Sequence, residues 1–126
     1  LAGLVPATAG HTLYGATKAW LIRFSETLDQ ETQPRGVFVT ALCPGMTYSE
    51  FHDVNGMREK VSKLPKGIWL TSAEVARQGV DAVEAGVPRL ITGRSNKLIA
   101  ALCKYLPDGL ARALLASRSK DFRDAE

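Results

Sequence analysis

The sequence predicts an α/β fold, a parallel sheet with helices on both faces, and three observations predict it. Helical periodicity over 12–31 is followed at once by an unbroken β-rich apolar run, Val37-Phe38-Val39-Thr40-Ala41-Leu42-Cys43. A run without polar alternation marks a strand covered on both faces. Helix followed by buried strand is half of a β-α-β unit, and such units build parallel sheets. The run then stops at Pro44-Gly45, at the carboxyl end of the strand, where open α/β sheets place their ligand crevice.

Leu1 to Gly10 is apolar but broken by Gly3, Pro6 and Gly10, so it reads as a loop leaving a buried strand. From Thr12 to about Glu31 two stripes run along one helix. Leu13, Trp20, Leu21, Phe24 and Leu28 form the apolar one, and Tyr14, Lys18 and Ile22 lie beside it at intervals of four. Trp20, Phe24 and Leu28 are expected in the core or at a dimer interface. Pro34-Arg35-Gly36 ends the helix. Met46 to Leu70 has no clear period and contains Gly56, Pro65 and Gly67, so it is expected to be a long connection closing over a ligand. Thr71-Ser72-Ala73-Glu74 has the form of a capping box, opening a helix through about Ala85 that Gly86 stops. Pro88 to Gly93 is a short strand candidate. Lys97 to Tyr105 and Asp108 to Ser119 follow as two amphipathic helices divided by Pro107.

At 126 residues the chain has room for one modest domain. Its 45% hydrophobic and 23% charged content is that of an ordinary globular protein, and no apolar run is long enough to span a bilayer. The net charge is only +3, with 16 basic residues spread along the chain, so no nucleic-acid footprint is visible. Cys43 and Cys103 fit no metal or redox spacing, which makes a reduced, cytoplasmic setting the expectation. His11 and His52 have no second pair of metal-ligating residues beside them. They are read as a loop residue and a lid residue, and no metal site is expected.

The chemistry centres on Tyr14-Gly15-Ala16-Thr17-Lys18 and, thirty residues on, Pro44-Gly45-Met46-Thr47-Tyr48-Ser49. A helix sets a phenol and an ammonium four residues apart on one face. A free tyrosine hydroxyl titrates near about 10, and an ammonium close by favours its ionised form. A phenol so placed can give a proton to a carbonyl oxygen or take one from an alcohol. A bare Tyr-x-x-x-Lys pair is common, and by itself it reads as a half-buried tyrosine beside a solvated lysine.

The surroundings change that reading. Tyr14 to Ala19 is close to the Tyr-[small]-Ala-Ser-Lys-[Ala/Gly] form of the short-chain dehydrogenase/reductase family, and Pro44-Gly45 sits where that family has Pro-Gly-x-x-x-Thr. Ser49 stands in the position usually held by threonine. The chain from Leu1 to about Gly93 therefore resembles the C-terminal half of that family's Rossmann-like doubly wound sheet, with 94–126 as a helical extension. The resemblance implies an NAD- or NADP-dependent oxidoreductase that interconverts a carbonyl and a secondary alcohol. It makes Tyr14 the general acid/base, with Lys18 tuning it and holding the cofactor ribose. Pro44, Gly45, Thr47 and Ser49, with Tyr14 and Lys18, would hold the cofactor.

Leu1-Ala2-Gly3 looks like the segment just after the family's catalytic serine. That serine, the Gly-rich phosphate turn and the relay asparagine would all precede Leu1, so a partial chain, inactive by itself, is expected. A small carbonyl or alcohol is the expected substrate and a second copy, met through the helix over 12–31, the expected partner. The alternative is a non-catalytic α/β interaction module in which the tyrosine and lysine are vestigial. The basic residues Arg94, Lys97, Lys104, Arg112, Arg118 and Lys120 read as a solvated helix face, ahead of a peripheral membrane contact through Leu98, Leu102, Leu106 and Leu110.

Overall fold

The computed structural model describes residues 1–6, 12–45, 47–48 and 69–113. In chain order these form a 3-10 turn at Ala2–Leu4, helix α1 (Thr12–Thr32), a 3-10 turn at Gln33–Arg35, strands β1 (Ala41–Cys43), β2 (Thr47–Tyr48) and β3 (Leu70–Thr71), helix α2 (Ser72–Glu84), strand β4 (Arg89–Ile91) and helix α3 (Arg94–Tyr105). A further helical stretch runs from 108 to 113.

The punctuation read from the sequence is what shapes these elements. Gly36, at a left-handed φ of 77°, ends the turn after α1 by donating to the Gln33 carbonyl. Thr71 caps α2 in a full capping box: its hydroxyl accepts from the Glu74 backbone N–H, and the Glu74 carboxylate accepts from the Thr71 N–H at 2.8 Å. Gly86, at φ 66°, closes the far end.

β1 and β4 pair in parallel, with Ala41, Leu42 and Cys43 opposite Arg89, Leu90 and Ile91. A parallel pair needs a crossover, and α2 lies in the connection between the two strands. The layers follow from the period of two along β1. Ala41 and Cys43 are buried with Ile22 of α1, and Leu4 and Ile91 pack against this cluster. Leu42 points the other way, toward α2, where a Cβ on Gly79 would meet it at 3.0 Å. Helix, sheet and helix therefore form three layers, the expected α/β arrangement.

Two expectations about burial need correction. The ladder covers only Ala41–Cys43 of the run 37–43, and Val37, Phe38 and Leu42 stay exposed. The face toward α2 is an open apolar groove of about 370 Å³ between Thr40 and Leu42 on one side and Ala76, Gly79, Val80 and Val83 on the other. On α1 the apolar stripe takes the core alternative only at Leu28, which is half-buried: Leu13, Trp20 and Phe24 are 80%, 60% and 51% exposed, with Trp20 and Phe24 stacked at 5.2 Å. Ile22, on the Tyr14 and Lys18 stripe, is the buried residue instead. Of that stripe Ile22 meets the sheet, while Tyr14 and Lys18 stay exposed.

Polar ties fix α1 in this orientation. Asp29, itself buried, accepts from the Val39 N–H at 2.8 Å and holds the chain entering β1. Glu26 pairs with Arg23 at 2.9 Å and with Arg89 of β4 at 3.1 Å. The β2–β3 pair, with Thr47 opposite Leu70 and Tyr48 opposite Thr71, is parallel too and was not visible in the sequence. Met46 and 49–68, most of the expected lid, lie outside the described residues, as do His11, His52 and Ser49.

Candidate active site

The candidate site lies where the first residues of the chain join the Pro44 turn, just past β1, to the first turns of α1. Tyr14 and Lys18 stand one turn apart, and the Lys18 ammonium lies 5.5 Å from the centre of the Tyr14 ring, within cation–π reach. Tyr14 is 50% exposed and Lys18 is exposed. Both are thus held by a helix whose next turn, at Ile22, is anchored in the core.

Two motifs thirty residues apart are joined through the first three residues of the chain. The Leu1 backbone nitrogen donates to the Pro44 carbonyl at 3.0 Å. The Ala2 carbonyl lies next to Gly15, and Gly3 lies against the backbone of Lys18 and Ala19 so closely that no Cβ would fit. The Ala2–Leu4 turn also contacts α3. What the sequence presents as a loop is the piece that fixes the Pro44 turn relative to Tyr14 and Lys18.

The turn itself is tied down on its other side. The Thr47 hydroxyl donates back to the Gly45 carbonyl at 3.3 Å, and β2 is held by β3, whose Thr71 caps α2. Gly45 packs against Asn96 in the first turn of α3. Asn96 had no signal in the sequence. It is an ordinary polar residue of an amphipathic helix until the fold places it.

Cys43, one residue before the turn, is buried, and burial is the main cause pushing its thiol up. It serves as a small core side chain. Among the described residues no cluster of His, Cys, Asp and Glu could hold a metal ion, and no helix is long and apolar enough to cross a membrane.

The arrangement can hand a proton between an exposed phenol and a bound oxygen, with an ammonium beside it. Comparison with known proteins shows what the chain is similar to. Residues 1–60 match the short chain dehydrogenase family. The chain is 28% identical over 117 residues to the Dehydrogenase/reductase SDR family protein 7-like of Dictyostelium discoideum, covering 90% of this chain and 36% of that protein. It is 27% identical over 103 residues to the 3-oxoacyl-[acyl-carrier-protein] reductase FabG of Chlamydia pneumoniae, covering 82% and 39%. An uncharacterized oxidoreductase of Myxococcus xanthus is 36% identical over 76 residues, covering 54% and 30%. The chain thus spans a little over a third of the length of the first and second of these proteins. No solved structure gave a significant match.

Proposed function

The chain belongs to the short-chain dehydrogenase/reductase family, and on that premise we propose that it supplies the proton-transfer helix and nicotinamide-side turn of an enzyme interconverting a carbonyl and a secondary alcohol. One observation carries the reading. Tyr14 and Lys18 share an exposed helix face at the carboxyl end of a parallel strand, and Leu1–Gly3 couples that face to the Pro44-Gly45 turn. In this reading residues 1–93 are the C-terminal half of the Rossmann-like domain and 94–126 its helical extension.

The residues fit a nicotinamide dinucleotide in the chemistry of their donors. Lys18 offers a compact ammonium to ribose hydroxyls, a task for which its flexible stem suits it better than arginine. Pro44, Gly45, Thr47 and Ser49 would face the nicotinamide end. When bound, NAD or NADP supplies or accepts the hydride. Tyr14 gives its hydroxyl proton to the substrate oxygen during carbonyl reduction and takes it back in the reverse direction. Lys18 stabilises the negative charge the phenol then carries. The pyrophosphate cradle and the polarising serine are not among these 126 residues, so this stretch by itself would not turn over. A small-molecule substrate and a reduced, cytoplasmic setting, with Cys43 and Cys103 free, complete the proposal.

The test is Tyr14→Phe and Lys18→Ala in the full-length protein, followed by steady-state kinetics and by fluorescence titration with NADH and NADPH. Tyr14→Phe keeps the ring and removes the proton, so turnover should fall by roughly 10²-fold or more with cofactor affinity retained. Lys18→Ala should damage both. A Tyr14→Phe enzyme that keeps most of its turnover would return Tyr14 to a structural role.

The exposed apolar face of α1, with Leu13, Trp20, Leu21 and Phe24, favours a second copy docking there. If Tyr14→Phe changes nothing while α1 still pairs, the non-catalytic interaction module becomes the better reading.

A further inference from the structure

We propose that Asn96 is the positioning residue of the Pro44-Gly45 turn, and that position 45 is a glycine because the Asn96 side chain fills the space a Cβ would need. The inference deepens the proposed function, since it concerns the turn assigned to the nicotinamide end. Its geometry stands whether or not that assignment holds.

Gly45 does not need its glycine for backbone freedom. The described glycines with positive φ are Gly36, Gly86 and Gly93, so Gly45 adopts a conformation open to any residue. Space is the constraint instead: a Cβ there would fall on the carboxamide of Asn96. Asn96 is 5% exposed, and its Nδ2 donates to the Thr92 carbonyl at 2.8 Å. Thr92 in turn donates its backbone N–H to Cys43 at 3.4 Å, just past the end of the β1–β4 ladder.

These contacts close a circuit. The exit of β4 sets Thr92, Thr92 orients Asn96, and Asn96 braces the exit of β1 at Gly45. Gly93, at φ 81°, turns the chain from strand into α3 with Asn96 Nδ2 only 2.9 Å from where its own Cβ would be. The carboxamide therefore sits between two glycines. A longer side chain would strike Gly45. Aspartate would keep the shape and set an acceptor against the Thr92 carbonyl. The Thr47 hydroxyl bonds to the Gly45 carbonyl, so a displaced Gly45 carries the next residues of the turn with it.

The experiment compares Asn96→Ala, Asn96→Asp, Gly45→Ala and the double variant Gly45→Ala/Asn96→Ala in the full-length protein. Amide hydrogen exchange over 43–48, the thermal midpoint, and cofactor KM against kcat are the readouts. Asn96→Ala should speed exchange in the turn about tenfold or more while Arg89–Ile91 stays protected. It should raise cofactor KM by about tenfold with a smaller effect on kcat, and Asn96→Asp should do the same. Gly45→Ala should lower the midpoint, and the double variant should recover part of that loss because the obstructing carboxamide has gone.

Unchanged exchange in the turn of Asn96→Ala overturns the proposal. So does a Gly45→Ala penalty that the double variant keeps in full. If the unaltered protein binds neither NADH nor NADPH, the cofactor reading falls, and the exchange and double-variant results still decide the role of Asn96.

Discussion

Replacing Gly3 with alanine adds one methyl group where the Ala2–Leu4 turn lies on the backbone of α1. The new Cβ would stand 2.5 Å from the Ala19 nitrogen and 2.6 Å from the Lys18 carbonyl carbon. Ordinary contact begins at 3.4 Å, so the turn must withdraw by 3.4 − 2.5, about 0.9 Å. Neither neighbour can rotate aside, because both are helix backbone. Gly3 is not among the positive-φ glycines, so the strain lies in the contact alone. Overpacking of this kind costs about 1–3 kcal/mol, a large share of the roughly 5–15 kcal/mol that holds a domain together. At about 4 °C per kcal/mol the melting midpoint should fall by roughly 4–12 °C.

The same displacement pulls Leu1 from the Pro44 carbonyl and moves the support beneath Lys18. Shifts near 1 Å at a site can cost about 100-fold in rate, so activity should fall further than stability alone explains. Circular dichroism melting, with Gly15→Ala as the comparison, gives the measurement. A Cβ at Gly15 meets only the Ala2 oxygen, at 3.8 Å, and alanine is the better helix residue by about 1 kcal/mol. Gly15→Ala should therefore hold or raise the midpoint. An unchanged midpoint for Gly3→Ala, or the reverse order of the two variants, would refute the packing argument.

Thr71→Ala removes the α2 cap and should cost about 1 kcal/mol at neutral pH, read from denaturant or thermal midpoints. The Thr71 N–H first, and its hydroxyl second, hold the Glu74 carboxyl below the usual carboxylate range in the fold. A depressed folded value means that the unfolded chain binds the proton more readily. That contribution is present above the ordinary carboxylate range and is lost as pH falls through the folded value. The midpoint gap between Thr71→Ala and the parent should accordingly shrink on acidification, and a gap independent of pH would discard the capping-box reading. Trp20→Ser with Phe24→Ser removes a stacked pair exposed on α1 and should shift a self-associating protein toward monomer in sedimentation, with little change in melting. A large melting loss without a change in mass would place the pair inside the protein's own core.

Local signals in the sequence reached as far as local causes do. The bounds of α1, the Thr71 to Glu74 cap, the stop at Gly86 and the parallel habit of β1 are all properties of neighbouring residues, and each is legible from spacing or composition. The pairing of Tyr14 with Lys18 is legible for the same reason, because a helix fixes residues four apart. Periodicity, however, says which residues share a face and not what the face meets. The strongest apolar stripe on α1, through Trp20 and Phe24, left core and dimer interface open by pattern and points outward in the fold, while Ile22 alone of that stretch is buried with β1. Val37 and Phe38 read as strand by composition, but a strand is made by its ladder, and β4 pairs only Ala41–Cys43. The placement of Gly3 on Lys18, of Leu1 on Pro44 and of Asn96 on Gly45 joins residues 15, 43 and 51 positions apart. Contacts of that kind leave no periodic trace in the chain. Only the tertiary structure, which decides what lies opposite each face, could supply them.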